Sequence, residues 1–187
     1  MNPLLAILHR FSPLSPSAQE ALLQIIQYKE FPNKTELLPI GKVARNLYFI
    51  QRGLGRVYYY KDEVDVTDYF AQDNQFIGAV SSLFTGQPSR KGIQLLEPSQ
   101  VYYLAYQDFV QLGAQYSDIE RAGGRLAIFA FLEAQTRLES IQFLSAQERY
   151  QELNQQYPGL LNRAPLKHVA SYLGITQVSL SRIRAQV

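Results

Sequence analysis

The chain has 187 residues, of which 47% are apolar, with 18 Lys and Arg against 16 Asp and Glu for a net charge of +2. That is enough for one large or two small folded domains with a real core. The absence of cysteine excludes disulfides, thiolate zinc sites, cysteine-ligated iron–sulfur clusters and cysteine nucleophiles. The start is not signal-like and no apolar run nears the roughly 20 residues of a membrane span, so the expected setting is cytoplasmic.

In chain order, Ser15-Pro16 opens a helix, since serine caps and proline at the first helical position has no amide to waste. Ser17 and Glu20 offer a second capping box, and Leu22, Leu23, Ile25 and Ile26 carry an apolar stripe to about Lys29. His9 falls in a helix before this one. From Phe31 to Tyr106 the texture is β-rich: runs at 35–40, 47–51, 55–61, 64–71, 92–96 and 101–105 are bounded by Gly, Pro, Asp or Asn. Lys61-Asp-Glu-Val64 reads as a hairpin connection, and short strands at this spacing imply an antiparallel sandwich or barrel. Tyrosines 48, 58, 59, 60, 69, 102 and 103 fall in this region; either they cover a sheet or some of them line a cavity with Ser81 and Ser82.

Ser117 and Glu120 form a capping-box pair for a helix running to about Phe143, roughly 40 Å long at 1.5 Å per residue. Gly123, Ala127, Ala130, Ala134 and Ile141 share one stripe on which another backbone can approach closely, flanked by Leu126, Phe129 and Leu132. A helix apolar on more than one side needs cover from the β-region and from a second chain, which predicts a homodimer. A further helix spans 145–157, stopped by Tyr157-Pro158-Gly159.

Residues 153–187 contain no acid but hold Arg163, Lys167, Arg182 and Arg184, so this tail is +4 and the remainder sums to about −2. Here Pro165 enters a helix whose inner side is Leu166, Val169, Ala170 and Leu173. Gly174 reverses the chain, Thr176 caps a second helix, and Leu180, Ile183 and Val187 form the inner face of that helix. Its outer face carries Gln177, Val178, Ser181, Arg182 and Ala185, with Ser179 and Arg184 on the flanks. A helix-turn-helix with such a face fits a major groove, Arg reading guanine and Gln reading adenine. Arg163, Lys167, His168 and Arg184 are assigned to phosphates. The DNA-contact set is therefore Lys167, Thr176, Gln177, Val178, Ser179, Ser181, Arg182 and Arg184, and the partner is double-stranded DNA.

Three stretches carry a resemblance to a known family: Ala170-Ser-Tyr-Leu-Gly-Ile-Thr176, Ser179-Leu-Ser-Arg-Ile-Arg184, and Phe76-Ile-Gly78 with Thr85-Gly-Gln-Pro-Ser-Arg90. With the order of elements, they resemble the Crp/Fnr family of bacterial transcription regulators, most closely the branch common in Bacteroidetes. The resemblance implies an α+β fold: an N-terminal antiparallel double-stranded β-roll of the cyclic-nucleotide-binding kind over 1–116, a long dimerisation helix over 117–144, and a helix-turn-helix over 145–187 without a wing. It also places a small-molecule effector site at Gly78, Ser81, Ser82, Ser89 and Arg90.

This sequence departs from the pattern of the cyclic-nucleotide sensors. They follow the glycine with a glutamate for the ribose, where this chain has Ala79, and Ser89 stands where they carry the phosphate-binding arginine, with Arg90 one place late. On a strand that slip turns the guanidinium to the other face, so cyclic AMP is not the expected effector. Val178 replaces an acid that many family members place early in the recognition helix, and it could meet a thymine methyl instead. No metal, cofactor or catalytic constellation is expected: the two histidines, His9 and His168, are too few for a cupin-type metal site or a haem ligand in the roll. The alternative to a DNA-binding regulator is a ligand-binding or protein-interaction module of the same fold that no longer reads DNA.

Overall fold

The computed structural model describes residues 2–185. Two capped helices come first. In α1 (Pro3–Phe11) the Asn2 side chain accepts from the amides of Leu4 and Leu5, and in α2 (Pro16–Ile25) Ser15 accepts from Ala18. α2 ends at Ile25 rather than near Lys29, because the next residues form strand β1 (Gln27–Phe31), paired along its length with β8 (Ser99–Ala105). The remaining strands are β2 (Glu36–Leu38), β3 (Asn46–Arg52), β4 (Gly55–Lys61), β5 (Val64–Ala71), β6 (Gln75–Ile77) and β7 (Gly92–Leu95), with a short helix α3 (Val80–Thr85) between the last two.

The strands form two four-stranded antiparallel sheets, ordered β1-β8-β3-β6 and β2-β7-β4-β5. Between them Ile50, Val57, Ala71, Ile77, Ile93, Leu95 and Val101 fill the interior, none more than 1% exposed. The β4–β5 hairpin turns at Asp62 and Glu63, both at positive φ, which matches the twist of the flanking strands.

α4 (Tyr106–Gln115) leads into α5 (Ser117–Phe143), the long helix. The expected Ser117–Glu120 capping box does not form. The Tyr116 carbonyl already accepts from Ile119 and Glu120, so Ser117 is inside the first turn, and Asp118 accepts from the Ser15 amide at 2.7 Å instead. The N-terminal half of α5 packs with α1, α2 and α4 around Leu4, Leu8, Leu22, Phe109, Ile119 and Ala122. Gly123 is where a backbone comes close, but to this chain's own α4: a Cβ there would sit 2.8 Å from the Phe109 ring.

Beyond Leu126 one side of the helix is uncovered, leaving Ile128, Phe131, Leu132, Leu138, Ile141 and Phe143 exposed. Four shorter helices follow: α6 (Ala146–Gln156), opened by a Ser145–Glu148 capping box, α7 (Leu160–Arg163), α8 (Leu166–Leu173) and α9 (Gln177–Ala185). Their core is not separate from the roll. Leu54 and Phe70 of the roll share one buried cluster with Tyr150, Leu153, Tyr157, Leu160, Val169, Tyr172, Leu173 and Leu180.

Candidate nucleic-acid interface

The α8–α9 pair is built as the sequence suggests. Gly174 sits in the left-handed region, where the amides of Gly174 and Ile175 bond back to the carbonyls of Ser171 and Ala170 and close the end of α8. Pro165 is the N-cap residue of α8, one position before the helix proper. Thr176 Oγ1 accepts from the Ser179 amide at 3.1 Å and so caps α9. Val169, Ala170, Leu173 and Leu180 are buried and Ile183 is half-buried, which fixes the roll angle of α9. Val187, expected on the same face, lies outside the described residues.

With that face turned inward, Thr176, Gln177, Val178, Ser181, Arg182, Arg184 and Ala185 are exposed and Ser179 is half-buried. Lys167, at the start of α8, is exposed too. The outer face of α9 is thus short side chains and two arginines, with no carboxylate on the helix to oppose a polyanion.

Two basic residues assigned to phosphates lie elsewhere. Arg163 is held by the roll, with Nη1 and Nη2 donating to Asp73 at 2.9 and 3.2 Å, and Nε and Nη2 donating to Glu97 at 3.2 and 2.6 Å. These four bonds raise the guanidinium's already high pKa. His168 is 5% exposed and accepts from Arg56 Nη1 at 2.8 Å, so it faces the roll and not the solvent. Arg56 is itself buried on β4, bonded bidentately to Asp65 at 2.5 and 2.8 Å and also to Gln94 and Thr67. Neither pairing was legible from the tail alone, because every counter-group lies in the roll, on a strand or in a turn far away in sequence.

The opposite flank of α8 is fastened by further cations. Arg137 of α5 donates to the Tyr172 carbonyl and lies over that tyrosine ring at 3.7 Å, while Arg149 of α6 donates to the Leu173 carbonyl at 3.0 Å. Both carbonyls belong to the last turn of α8, where cations are favoured by the helix dipole. Phe70 of β5 closes the contact, 5.5 Å from Tyr172 and 6.3 Å from Tyr157 between ring centres.

The five effector-site residues are placed around α3, and three of them are engaged by the protein's own groups. The amide and carbonyl of Gly78 are both bonded to the Tyr69 hydroxyl, at 2.9 and 2.7 Å. Ser82 is buried between the Ala44 amide and the Gln87 carbonyl, and Ser89 closes its own turn with Lys91. Ser81 and Arg90 are exposed. Several of the tyrosines are likewise engaged within the roll. Tyr48 bonds the Leu37 carbonyl, Tyr58 bonds Glu36, and Tyr58 and Tyr60 pack edge to face on the outer side of the roll. There they border a cleft of about 380 Å³ with Lys34, Asp65 and Lys167, between the roll and the start of α8.

Residues 28–116 match the family model of the cyclic nucleotide-binding domain. No curated protein sequence matches the chain. Among solved structures, the chain resembles FixK2 from Bradyrhizobium japonicum, at 17% identity over 87% of this chain and 84% of that one with a TM-score of 0.71. It also resembles a c-di-GMP-responsive global regulator, CLP, of Xanthomonas campestris, at 15% identity over 92% and 91% with a TM-score of 0.69. A third similar structure is described as a transcriptional regulator of the Crp/Fnr family from Eubacterium rectale, at 13% identity over 93% and 85% with a TM-score of 0.71. At these identities the likeness is one of fold, and it extends past the roll through the long helix to the C-terminal helices. No helix among the described residues is long and apolar enough to cross a membrane.

Proposed function

We propose that this chain is a sequence-specific DNA-binding transcription regulator of the Crp/Fnr type, acting as a homodimer through α5, with a cyclic-nucleotide-binding-like roll whose effector, if it takes one, is not cyclic AMP. It acts by binding rather than by catalysis. The observation that carries this is the α8–α9 helix pair, whose outer face is left open although the rest of the module is packed into the protein. Gln177, Arg182 and Ser181 are its base-reading candidates, with Val178 for an apolar contact and Lys167 and Arg184 for phosphates. Thr176 and Ser179, whose hydroxyls bond each other at the helix start, complete the set of candidate DNA contacts.

The roll supports a changed ligand specificity. A glutamate and an arginine would have to converge near α3 to hold a cyclic ribose phosphate. Here Ala79 and Ser89 stand at those positions, Ser89 is spent on its own turn, and the interior between the sheets is filled by aliphatic side chains. The test is selection of genomic fragments by the purified dimer, followed by footprinting with and without cyclic nucleotides. A protected two-fold-symmetric site, unchanged by cyclic AMP, is the expected result. No enrichment over non-specific DNA would favour the other function, a module of this fold that binds a ligand or protein and no longer reads DNA.

A further inference from the structure

In the structure α8 and its neighbours lie against the same chain's roll, fastened at two separated points by buried or half-buried arginines. At one, Arg163 reaches across to Asp73 in the β5–β6 turn and Glu97 in the β7–β8 turn, spanning both sheets. At the other, Arg56 of β4 reaches out to His168 on α8, and the Thr67 amide of β5 donates to Ser171. Between them Phe70 and Leu54 enter the core of the helices. A contact that silenced DNA binding by occlusion would cover α9. This one leaves Gln177, Ser181 and Arg182 exposed and grips α8 from its far side.

We propose that this double clamp is a positioning device: the roll holds the helix-turn-helix in its DNA-reading orientation relative to α5, and so sets the half-site spacing that the dimer accepts. The inference rests on the DNA-binding function proposed above. Its physical basis is that a dimer reading two half-sites must present its two recognition helices at a separation matched to the helical repeat. A module joined by a loose hinge would tolerate several spacings, whereas one tied to the roll by charge-assisted bonds to two turns tolerates one. Arg163 is thereby a positioning residue and makes no contact with DNA.

The experiment uses the full chain and the double variant Asp73→Asn/Glu97→Gln, which removes both charges facing Arg163 but keeps shape and the Asp73 oxygen that accepts from the Gly53 amide. Glu97→Gln alone serves if the double variant melts at the assay temperature. Two readouts are taken: amide exchange across α8 and α9, and affinity for duplexes carrying the selected half-sites at varied spacing. The expected result is exchange about tenfold faster in α8 and α9, and a preference for the best spacing that falls from about tenfold to less than about threefold. Tighter binding by the variant would make the clamp inhibitory and overturn the proposal. Unchanged exchange or an unchanged spacing preference would overturn it as well. Failure of the unmodified protein to bind any duplex is a distinct result, and it removes the DNA-binding function together with the proposal.

Discussion

Arg56 on β4 and His168 on α8 stand 112 positions apart in the chain and share a hydrogen bond of 2.8 Å. A guanidinium only donates, so Nδ1 of His168 must be a bare acceptor and the ring neutral, with its proton on Nε2. Burial is the main reason the ring resists protonation. The nearby charge of Arg56 adds to it and Lys167 contributes a little, while Asp65 opposes them; the pKa is pushed down from 6.5 to about 4. The contact between roll and α8 therefore depends on a histidine that stays uncharged.

That dependence has a sign. The unfolded chain takes up a proton at this histidine below about 6.5 and the folded chain only near 4, so stability from His168 is present above that window and is lost as pH falls through it. The full loss is at most about 3 kcal/mol. Asp65, held below the usual carboxylate range by Arg56 despite its partial burial, gives way only at more acid pH. Urea melts at several pH values from 7.5 downwards should show the unmodified chain losing stability faster than His168→Gln, whose amide oxygen can still accept from Arg56. Parallel pH profiles for the two proteins would count against a neutral, buried ring.

The outer face of α9 separates two arginine roles. Arg182 lies with Ser181 and Val178 on the centre of that face and Arg184 on its flank. Arg182→Ala should cost about 1–3 kcal/mol against the selected site and relax its preference at one base pair. Arg184→Ala should weaken all sequences alike and lower the slope of log affinity against log salt by about 0.9. Binding titrations on the selected site and on single-base variants, at several salt concentrations, distinguish the two. If both variants lose the same affinity on every sequence, α9 does not read bases.

What the residues disclose by themselves depends on how local the determining interaction is. β4 and β5 are legible to the residue, because Arg56-Val-Tyr-Tyr-Tyr-Lys61 is rich in β-branched and aromatic groups and the Asp62-Glu63 turn follows at once. β1 is not: Gln27-Tyr-Lys-Glu-Phe31 is mostly exposed, and only its pairing with β8 makes it a strand. α4 escaped for a related reason, since the residue that anchors it, Phe109, meets its partner Gly123 on the following helix. In the candidate interface, the turn at Gly174 and the cap at Thr176 are local and readable. The capture of Arg163 by Asp73 and Glu97 is not, and a charge count therefore credits to DNA a cation that the roll has already neutralised.

Phe70 tests whether the roll and the C-terminal helices share one core. It is 1% exposed on β5 and stacks on Tyr157 and Tyr172 rather than on the roll interior. Phe70→Ala should cost about 3–5 kcal/mol, the usual range for a buried aromatic. Because the cavity opens at the seam between roll and helices, α6–α9 should lose their protection from amide exchange before the β-strands do. Uniform loss of protection across the chain would indicate that the seam is no weaker than the rest.

The uncovered side of α5 calls for a partner. Gly124, Ile128, Phe131, Gln135, Leu138 and Gln142 recur at alternating steps of four and three, which is the spacing of a two-stranded coiled-coil seam. This row lies across the helix from buried Ile119, Ala122 and Ser140, with Ile128 61%, Phe131 66% and Leu138 48% exposed. It differs from the Gly123–Ala127–Ala130–Ala134 stripe, whose first residue is taken by Phe109. Were two copies to pair in parallel along this row, Gln135 and Gln142 would be the polar points that fix their register. Ile128→Asp/Phe131→Asp should leave the helical content intact and give a monomer in sedimentation equilibrium at concentrations where the unmodified chain is a dimer. It should also weaken binding to a two-half-site duplex by about 100-fold or more, because the second half-site contact is no longer tethered to the first. A variant that keeps the dimer mass would place the interface elsewhere, and the exposed seam on α5 would then need a different occupant.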